Sequence, residues 1–252
     1  MQERLVEIST ADGSMNTHIV HPDGSGPFPV VIFYMDALGV REELMDMCRR
    51  IASVGYYVLL PNMYYRKVRS VDFDADRMRD PAYAEKAEQL WKLARHLTNT
   101  MVADDTRAMF EFLRSEPLAG QGKVGITGHC MSGRFVFHLA GAFPDRVGAA
   151  TAFYGGNYVS DAPDSAHLLA GNIKGEMYFA FAEHDAFVPE GMKQQVAALI
   201  EEHRFNGRIE TFPEAHHGFA FPNRHAYDKA SAERHWERQF DIWRRNLWPR
   251  GQ

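Results

Sequence analysis

One cysteine lies in a setting typical of a nucleophile. Cys130 stands in the segment Gly128-His-Cys-Met-Ser-Gly133, between an apolar run at 123–127 and a helical pattern. A strand, a sharp turn and a helix in this order form a nucleophile elbow, which exposes the reactive side chain at the turn. The residues two before and two after the nucleophile must be small, and Gly128 and Ser132 are small. The segment therefore predicts a thiol nucleophile where serine is usual.

Two other interpretations of this segment are weaker. Ser132 would have the bulky Arg134 two residues after it, so Cys130 is the better nucleophile. A buried structural cysteine in a glycine-rich turn is the second alternative. Against it, the helix N-terminus that follows Cys130 favours a thiolate, which lowers the thiol pKa from its free value of about 8.5. The other cysteine, Cys48, lies on one apolar helical face and is expected in the core.

A thiol nucleophile needs a base, and the base needs an acid that holds it in the right tautomer. These groups are expected in the chain order nucleophile, acid, histidine, each on a loop after a strand. The acid predicted here is Asp185, which follows the apolar run 177–182 and precedes a helix opened by Pro189. A helix-capping role is the alternative for Asp185, and Glu183 is a weaker acid candidate because it lies too close to the strand end.

The predicted base is His217, which follows an apolar run at 209–212. His216 is its immediate competitor. Gly218 and Phe219 favour His217, because they provide a flexible turn and an apolar anchor after it. The two adjacent histidines lack carboxylates at helical spacing, so a metal site is not expected.

The elements that must position these residues follow an alternating pattern. The strands are nearly continuous in apolar residues, as expected for a parallel sheet covered on both faces by helices. The pattern predicts a doubly wound, mostly parallel α/β sheet, with an antiparallel edge from segments 4–9 and 15–21. Predicted strands are 28–35, 56–60, 124–127, 147–154, 177–182 and 209–212, and predicted helices are 41–54, 83–98, 103–115, 131–142, 189–203 and 226–247.

Composition narrows the class of protein further. The 252 residues, 45% of them hydrophobic, are enough for one α/β domain over 1–252. A net charge of −5 with mixed signs argues against a nucleic-acid partner. The chain has no apolar run of about 18 residues and no signal-like N-terminus, so we expect no membrane association and a cytoplasmic location.

These motifs together resemble the dienelactone hydrolase family, a branch of the α/β-hydrolases without a large cap domain. The resemblance rests on the Cys130 elbow, the Asp185 loop, His217-Gly-Phe219, the turn 35–40 and the segment 55–66. It implies an α/β-hydrolase fold, a Cys130-Asp185-His217 triad and an oxyanion hole formed by the backbone N–H groups of Met131 and Ala37. No cofactor or metal is implied.

Two positions depart from the family pattern. The family usually has a glutamate where this chain has Asp36, so Asp36 is a candidate thiol-activating acid, with a turn role as the alternative. The family also has a carboxylate-binding arginine shortly after the histidine, whereas 218–222 contains none. A less anionic, more apolar substrate is therefore expected.

The resemblance implies a hydrolase of a small ester or lactone, similar to carboxymethylenebutenolidase. Candidate substrate-pocket residues are Tyr64, Arg66, Phe187, Phe219 and Phe221. Arg69, Arg77 and Arg79, in the irregular segment 63–81, are further candidates to hold an acid group. The alternatives are a thioesterase or acyltransferase with the same triad, or a non-catalytic member of the fold that binds a ligand or senses oxidants.

Overall fold

A computed structural model of the chain describes residues 1–78 and 80–248. The chain forms two compact units, Met1–Gln121 and Gly122–Gln252. The single domain expected over 1–252 stays a prediction. Arg79, one of the candidate acid-binding residues, lies outside the described residues.

The first unit has four strands in the order β1-β2-β4-β3. β1 and β2 pair along their whole length as an antiparallel hairpin, which confirms the expected antiparallel edge, and β3 pairs with β4 in parallel. Buried apolar residues fill β3 and β4 completely. The elements are β1 (Gln2–Thr10), β2 (Gly13–His21), β3 (Val30–Tyr34), α1 (Glu42–Ser53), β4 (Tyr57–Pro61), α2 (Ala84–His96) and α3 (Asn99–Arg114).

The second unit has four strands, all parallel, in the order β5-β6-β7-β8. Parallel strands must be joined by crossovers, and helices follow three of these strands. The elements are β5 (Val124–His129), α4 (Gly133–Ala142), β6 (Val147–Phe153), β7 (Glu176–His184), α5 (Met192–His203), β8 (Gly207–His216) and α6 (Lys229–Leu247).

The sequence pattern placed every one of these strands and helices, and the differences lie at the ends. α3 begins four residues earlier than expected because the Thr98 hydroxyl accepts a hydrogen bond from the Met101 N–H and caps the helix there. β8 continues to His216 because its pairing with β7 resumes at His184 beyond an irregularity in the register. A 3₁₀ segment at Ala166–Asn172 was not predicted.

The core agrees with the apolar faces of the sequence. Cys48 is 0% exposed on the inner face of α1, as expected. Trp236 and Trp243 are buried on one face of α6. None of the helices in the described part of the chain is both long and apolar enough to cross a membrane.

Candidate active site

The turn after β5 has the backbone strain expected of a nucleophile elbow. Cys130 has a φ of 54°, in the left-handed region that non-glycine residues seldom adopt. A Cβ at Gly128 would lie 2.8 Å from the Cβ of Ser132 and from the Cγ2 of Val136. Only glycine fits there, because the strand and the following helix approach so closely.

The two candidate nucleophiles in this turn differ in exposure. Ser132 is 0% exposed, whereas Cys130 is partly exposed. A substrate carbonyl can therefore reach the thiol and not the hydroxyl. Met131 follows Cys130 directly in the short 3₁₀ turn Cys130–Ser132, which is where an elbow provides an oxyanion-hole N–H.

The structure brings the predicted acid and base together after β7 and β8. The Nδ1 atom of His217 lies 2.9 Å from Oδ1 and 2.8 Å from Oδ2 of Asp185. The Phe187 N–H also donates to Oδ1 of Asp185, at 2.9 Å. Gly218, with a φ of 90°, makes the turn that follows His217. A carboxylate can only accept, so Nδ1 carries a proton and Nε2 is left for the nucleophile.

The electrostatic environment of His217 favours the protonated ring. Burial alone would lower its pKa, but the charge of Cys130, with hydrogen bonds to Asp185 and Cys130, raises the pKa of His217 to about 10. One imidazole thus interacts with both predicted partners. This is the arrangement that a proton shuttle between a thiol and a leaving group needs.

The competing acid and base lie elsewhere. Glu183 is exposed, and its Oε2 accepts from the Glu214 N–H at 2.7 Å. The ring of His216 lies against His184, with centroids 5.0 Å apart. The side chains of Glu183, His184 and Glu214 bring one ligand atom each within 4.8 Å of one another, but all three residues are exposed. Exposed groups of this kind carry no metal assignment by themselves.

The predicted aromatic pocket residues fall into two groups. Phe187 is 56% exposed, and its ring centroid lies 4.7 Å from that of His217, so it is accessible to a substrate. Phe219 and Phe221 are 0% and 1% exposed, which leaves them almost no surface to offer a substrate. Phe219 instead packs on Tyr154, and Tyr154 packs edge-on against His217. Phe219 and Phe221 thus contact Tyr154 in the packing around His217, and their place in a substrate pocket stays a prediction.

The candidate pocket residues of the first unit, Tyr64 and Arg66, also have hydrogen-bond partners within that unit. Both terminal nitrogens of Arg66 bond the Asp105 carboxylate, at 2.8 and 2.7 Å, and its Nε bonds Asp12 at 2.7 Å. This set of ion pairs explains the arginine without a substrate. Tyr64 is 2% exposed, and its hydroxyl donates to the Ala37 carbonyl at 2.8 Å. This bond fixes the main chain at Ala37, and a contact between Tyr64 and a substrate stays a prediction.

The arginines of the irregular segment have partners of their own. Arg69 donates to the Ser14 carbonyl at 2.8 Å and also bonds Glu7. Arg77 pairs with Asp80 at 3.2 Å. These contacts are on the surface of the first unit, and they account for Arg69 and Arg77 without a substrate.

A buried histidine pair behind the elbow was not predicted from the sequence. The Nε2 atoms of His129 and His235 lie 2.8 Å apart, and the two residues are 1% and 0% exposed. Gln239 bonds Nε2 of His235 at 2.8 Å, and its own Oε1 accepts from the Thr127 hydroxyl at 2.7 Å. The signal in the sequence was the polar pair His235 and Gln239 on an otherwise apolar helical face. This network joins α6 to the residue directly before Cys130.

Arg224 lies nearer to the predicted base than its place in the sequence suggests. One of its terminal nitrogens is 3.9 Å from the position that a Cβ would take at Gly218, and its guanidinium lies over the ring of Phe221 at 4.8 Å. The chain turns back after residue 221, which brings this cation close to the turn after His217.

Comparison with known proteins shows the family of this chain. The model of the dienelactone hydrolase family matches residues 15–247. The chain belongs to the dienelactone hydrolase family. As a member, it is an ester or lactone hydrolase with the α/β-hydrolase fold.

Individual dienelactone hydrolase relatives are distant but cover nearly the whole chain. A Synechocystis protein provisionally named carboxymethylenebutenolidase is 25% identical over 246 residues, covering 96% of both chains. An Escherichia coli K12 protein with the same provisional name is 26% identical, covering 92% of this chain and 83% of its own.

Solved structures share the fold. The crystal structure of a provisionally assigned dienelactone hydrolase from Klebsiella pneumoniae has a TM-score of 0.83 at 23% identity, covering 96% of this chain and 98% of its own. A dienelactone hydrolase-like promiscuous phosphotriesterase from metagenomic libraries has a TM-score of 0.77 at 19% identity, covering 98% and 99%. At these identities the likeness establishes the fold alone.

Proposed function

We propose that the protein hydrolyses a small ester or lactone through a Cys130 nucleophile, and that its substrate is less anionic than a dienelactone. The observation that carries the proposal is the double engagement of His217, with Asp185 at Nδ1 and with the Cys130 side chain. A ligand-binding protein has no need for these three groups in this order.

The proposed reaction has two halves. The Cys130 thiolate attacks the carbonyl carbon, and the N–H group of Met131 stabilises the tetrahedral oxyanion. Collapse of this intermediate breaks the carbon–oxygen bond, and His217 gives its proton to the departing alkoxide. His217 then takes a proton from water, which cleaves the thioester and restores the thiolate. Asp185 holds the ring in the required tautomer throughout.

The test is hydrolysis of p-nitrophenyl acetate, a neutral enol lactone and an anionic dienelactone by the wild type and by Cys130→Ala. We expect activity in the wild type and none above background in the variant. A covalent acyl group on the Cys130 peptide, detected by mass spectrometry after rapid quenching, identifies the nucleophile. Full activity in Cys130→Ala would overturn the proposal.

Added acceptors and a thiol reagent, used with the same esters, separate the alternative functions. An acyltransferase or thioesterase would form the acyl-enzyme from activated esters but pass it faster to an added alcohol or thiol than to water. A redox or binding protein would react with iodoacetamide at Cys130 below the usual thiol range without hydrolysing any ester. Alkylation that abolishes hydrolysis supports the hydrolase.

A further inference from the structure

The strained backbone at Cys130 needs support from the residues around it. A non-glycine residue in the left-handed region costs about 1–3 kcal/mol, and it persists only where the surrounding structure holds it there. His129, directly before Cys130, still has the extended backbone of β5, with φ −121° and ψ 147°. The change of conformation therefore falls between these two residues, and whatever fixes the His129 side chain also fixes the start of the strained turn.

The ring of His129 is held on several sides. The residue is 1% exposed, and its ring stacks on that of Phe153, with centroids 5.0 Å apart and 17° between the planes. The ring of Phe221 lies against it at 5.2 Å. Its Nε2 lies 2.8 Å from Nε2 of His235, so a polar contact reaches from the end of β5 to α6. Ring packing restrains the position of His129, and this contact also sets its orientation.

The side chain of Gln239 decides which way the protons point in this network. Its Oε1 accepts from the hydroxyls of Thr127 at 2.7 Å and Thr151 at 3.4 Å. The amide nitrogen therefore faces the other way, 2.8 Å from Nε2 of His235. Since an amide nitrogen only donates, Nε2 of His235 is the acceptor and has no proton.

The tautomers of both histidines follow from this direction. Two ring nitrogens 2.8 Å apart need one proton between them. Because Nε2 of His235 has none, Nε2 of His129 carries it and donates. His235 is then neutral with its proton on Nδ1, and its Nε2 lone pair faces two donors. The Gln239 amide thus fixes the tautomer of His129 through His235.

The same ring also lies beside the residue that packs on the proposed base. The centroid of Tyr154 is 5.5 Å from that of His129 and 5.1 Å from that of His217. Tyr154 follows β6 with a φ of 39°, which is a second left-handed residue at this edge of the sheet. The His129 ring therefore borders both the turn that carries Cys130 and the aromatic support of His217.

We propose that His235 and Gln239 are positioning residues for the proposed hydrolysis. They hold His129 in its Nε2-protonated tautomer and so keep the Cys130 turn in its strained conformation. This inference rests on the proposed function. Both residues are 0% exposed, so they act through His129 and not on a substrate. The effect can be large, because a displacement of about 1 Å at the reacting atoms can lower the rate about 10²-fold.

The experiment compares His235→Gln with His235→Leu. A glutamine oxygen can accept from both His129 and Gln239, whereas leucine fills the space without any acceptor. We expect His235→Leu to lower kcat for p-nitrophenyl acetate about tenfold with little change in KM, and His235→Gln to stay within about twofold of the wild type. Activity is counted per folded molecule, at a temperature at which circular dichroism shows each variant folded.

His138→Leu is the matched control. His138 is a histidine of α4 that is 7% exposed, and its Nδ1 has no hydrogen-bond partner within the part of the chain that the structure describes. The same exchange thus removes a buried ring outside the His129–His235 network. We expect the wild-type kcat in this variant.

A second readout does not depend on activity. Nitrogen-15 spectra of protein labelled at histidine distinguish protonated from unprotonated ring nitrogens. We expect one histidine protonated at Nε2 and one at Nδ1, and the second signal, from His235, should be absent in His235→Gln. The signal of His129 should keep its Nε2-protonated form in His235→Gln, because the acceptor is retained there.

Four results would overturn the proposal. They are wild-type kcat in His235→Leu, equal losses in His235→Leu and His235→Gln, an equal loss in His138→Leu, and a proton on Nε2 of His235. Failure of the hydrolase itself is distinguishable, because it would appear as full activity in Cys130→Ala. An inactive Cys130→Ala together with wild-type kcat in His235→Leu rejects the positioning role alone.

Discussion

Asp185 reaches Nδ1 of His217 with both carboxylate oxygens, at 2.9 and 2.8 Å, while the Cys130 side chain also engages the ring. The imidazole is thereby held between two side chains, Asp185 and Cys130, that are 55 residues apart in the chain. In the proposed reaction, Asp185 fixes the tautomer of His217 and stabilises the imidazolium that forms during turnover.

Asp185→Asn should therefore lower kcat far more than KM. An amide can present its N–H to Nδ1 and so favour the wrong tautomer, and we expect a loss of about 10³-fold or more in kcat. Glu183→Gln, two residues earlier, is the matched control and should retain wild-type kcat for p-nitrophenyl acetate. A large loss in Glu183→Gln with a small one in Asp185→Asn would exchange their roles.

The pH dependence of hydrolysis should report the His217 environment. Burial works to lower its pKa, but the Cys130 charge and the Asp185 bond raise it to about 10. The proton that the leaving alkoxide needs is therefore present through neutral pH and is lost as the pH rises through about 10. We expect kcat/KM for a neutral lactone, corrected for spontaneous hydrolysis, to fall on that alkaline limb.

The same profile in Asp185→Asn is the control for this assignment. Removing the carboxylate removes one of the groups that raise the His217 pKa, so the alkaline limb should move to lower pH. A wild-type limb near the ordinary imidazole value of about 6.5 would contradict the ion-paired histidine.

The close packing of strand and helix around Gly128 can be tested by substitution. Gly128→Ala places a Cβ 2.8 Å from the Ser132 carbonyl oxygen and from Val136 Cγ2. Since main chain is one of the obstacles, the strand and the helix must separate, and we expect a loss of about 1–3 kcal/mol in the free energy of unfolding, with hydrolysis impaired. Gly122→Ala, where nothing lies within 4 Å, should leave both unchanged. Urea unfolding measures the difference, and equal stability of the two variants would contradict the steric argument.

Some features of the candidate site could be predicted from the sequence, and others depend on side-chain contacts that the sequence does not reveal. Chain order and strand ends suffice to predict Cys130, Asp185 and His217, because a parallel sheet presents the carboxyl ends of its strands at one edge. Residue type alone does not reveal which partner a side chain finds. Arg66, a candidate for substrate binding in the sequence, instead forms an ion pair with Asp105 in the structure. Tyr64 was a candidate pocket residue, but its hydroxyl is directed at a main-chain oxygen 27 residues away.

The buried histidines show the same limit. Nothing in the spacing of His129 and His235, 106 residues apart, indicates that their rings meet. Long-range side-chain pairs within a core depend on packing angles that local periodicity does not contain. Helix ends, in contrast, are local, and the early start of α3 follows from one threonine cap.

Replacing His235 should reveal how much this pair contributes. His235→Ala leaves a cavity in a fully buried place and removes a partner from His129 and from Gln239. We expect a loss of about 3 kcal/mol in the free energy of unfolding. The exposed His225→Ala is the matched control and should change stability by less than about 0.5 kcal/mol. Urea denaturation of both variants decides this, and a loss in His235→Ala no larger than in the control would reject a structural network.

The last prediction concerns the charge of the substrate. Because 218–222 contains no arginine, we expect kcat/KM for a neutral enol lactone to exceed that for an anionic dienelactone by about tenfold or more, the scale of one missing charged hydrogen bond. Arg224 provides the sharpest check, since its guanidinium lies near Gly218. If the expectation holds, Arg224→Gln changes both substrates alike, as does the surface control Arg244→Gln. Preference for the anionic lactone that disappears only in Arg224→Gln would contradict the expectation and assign the carboxylate to Arg224.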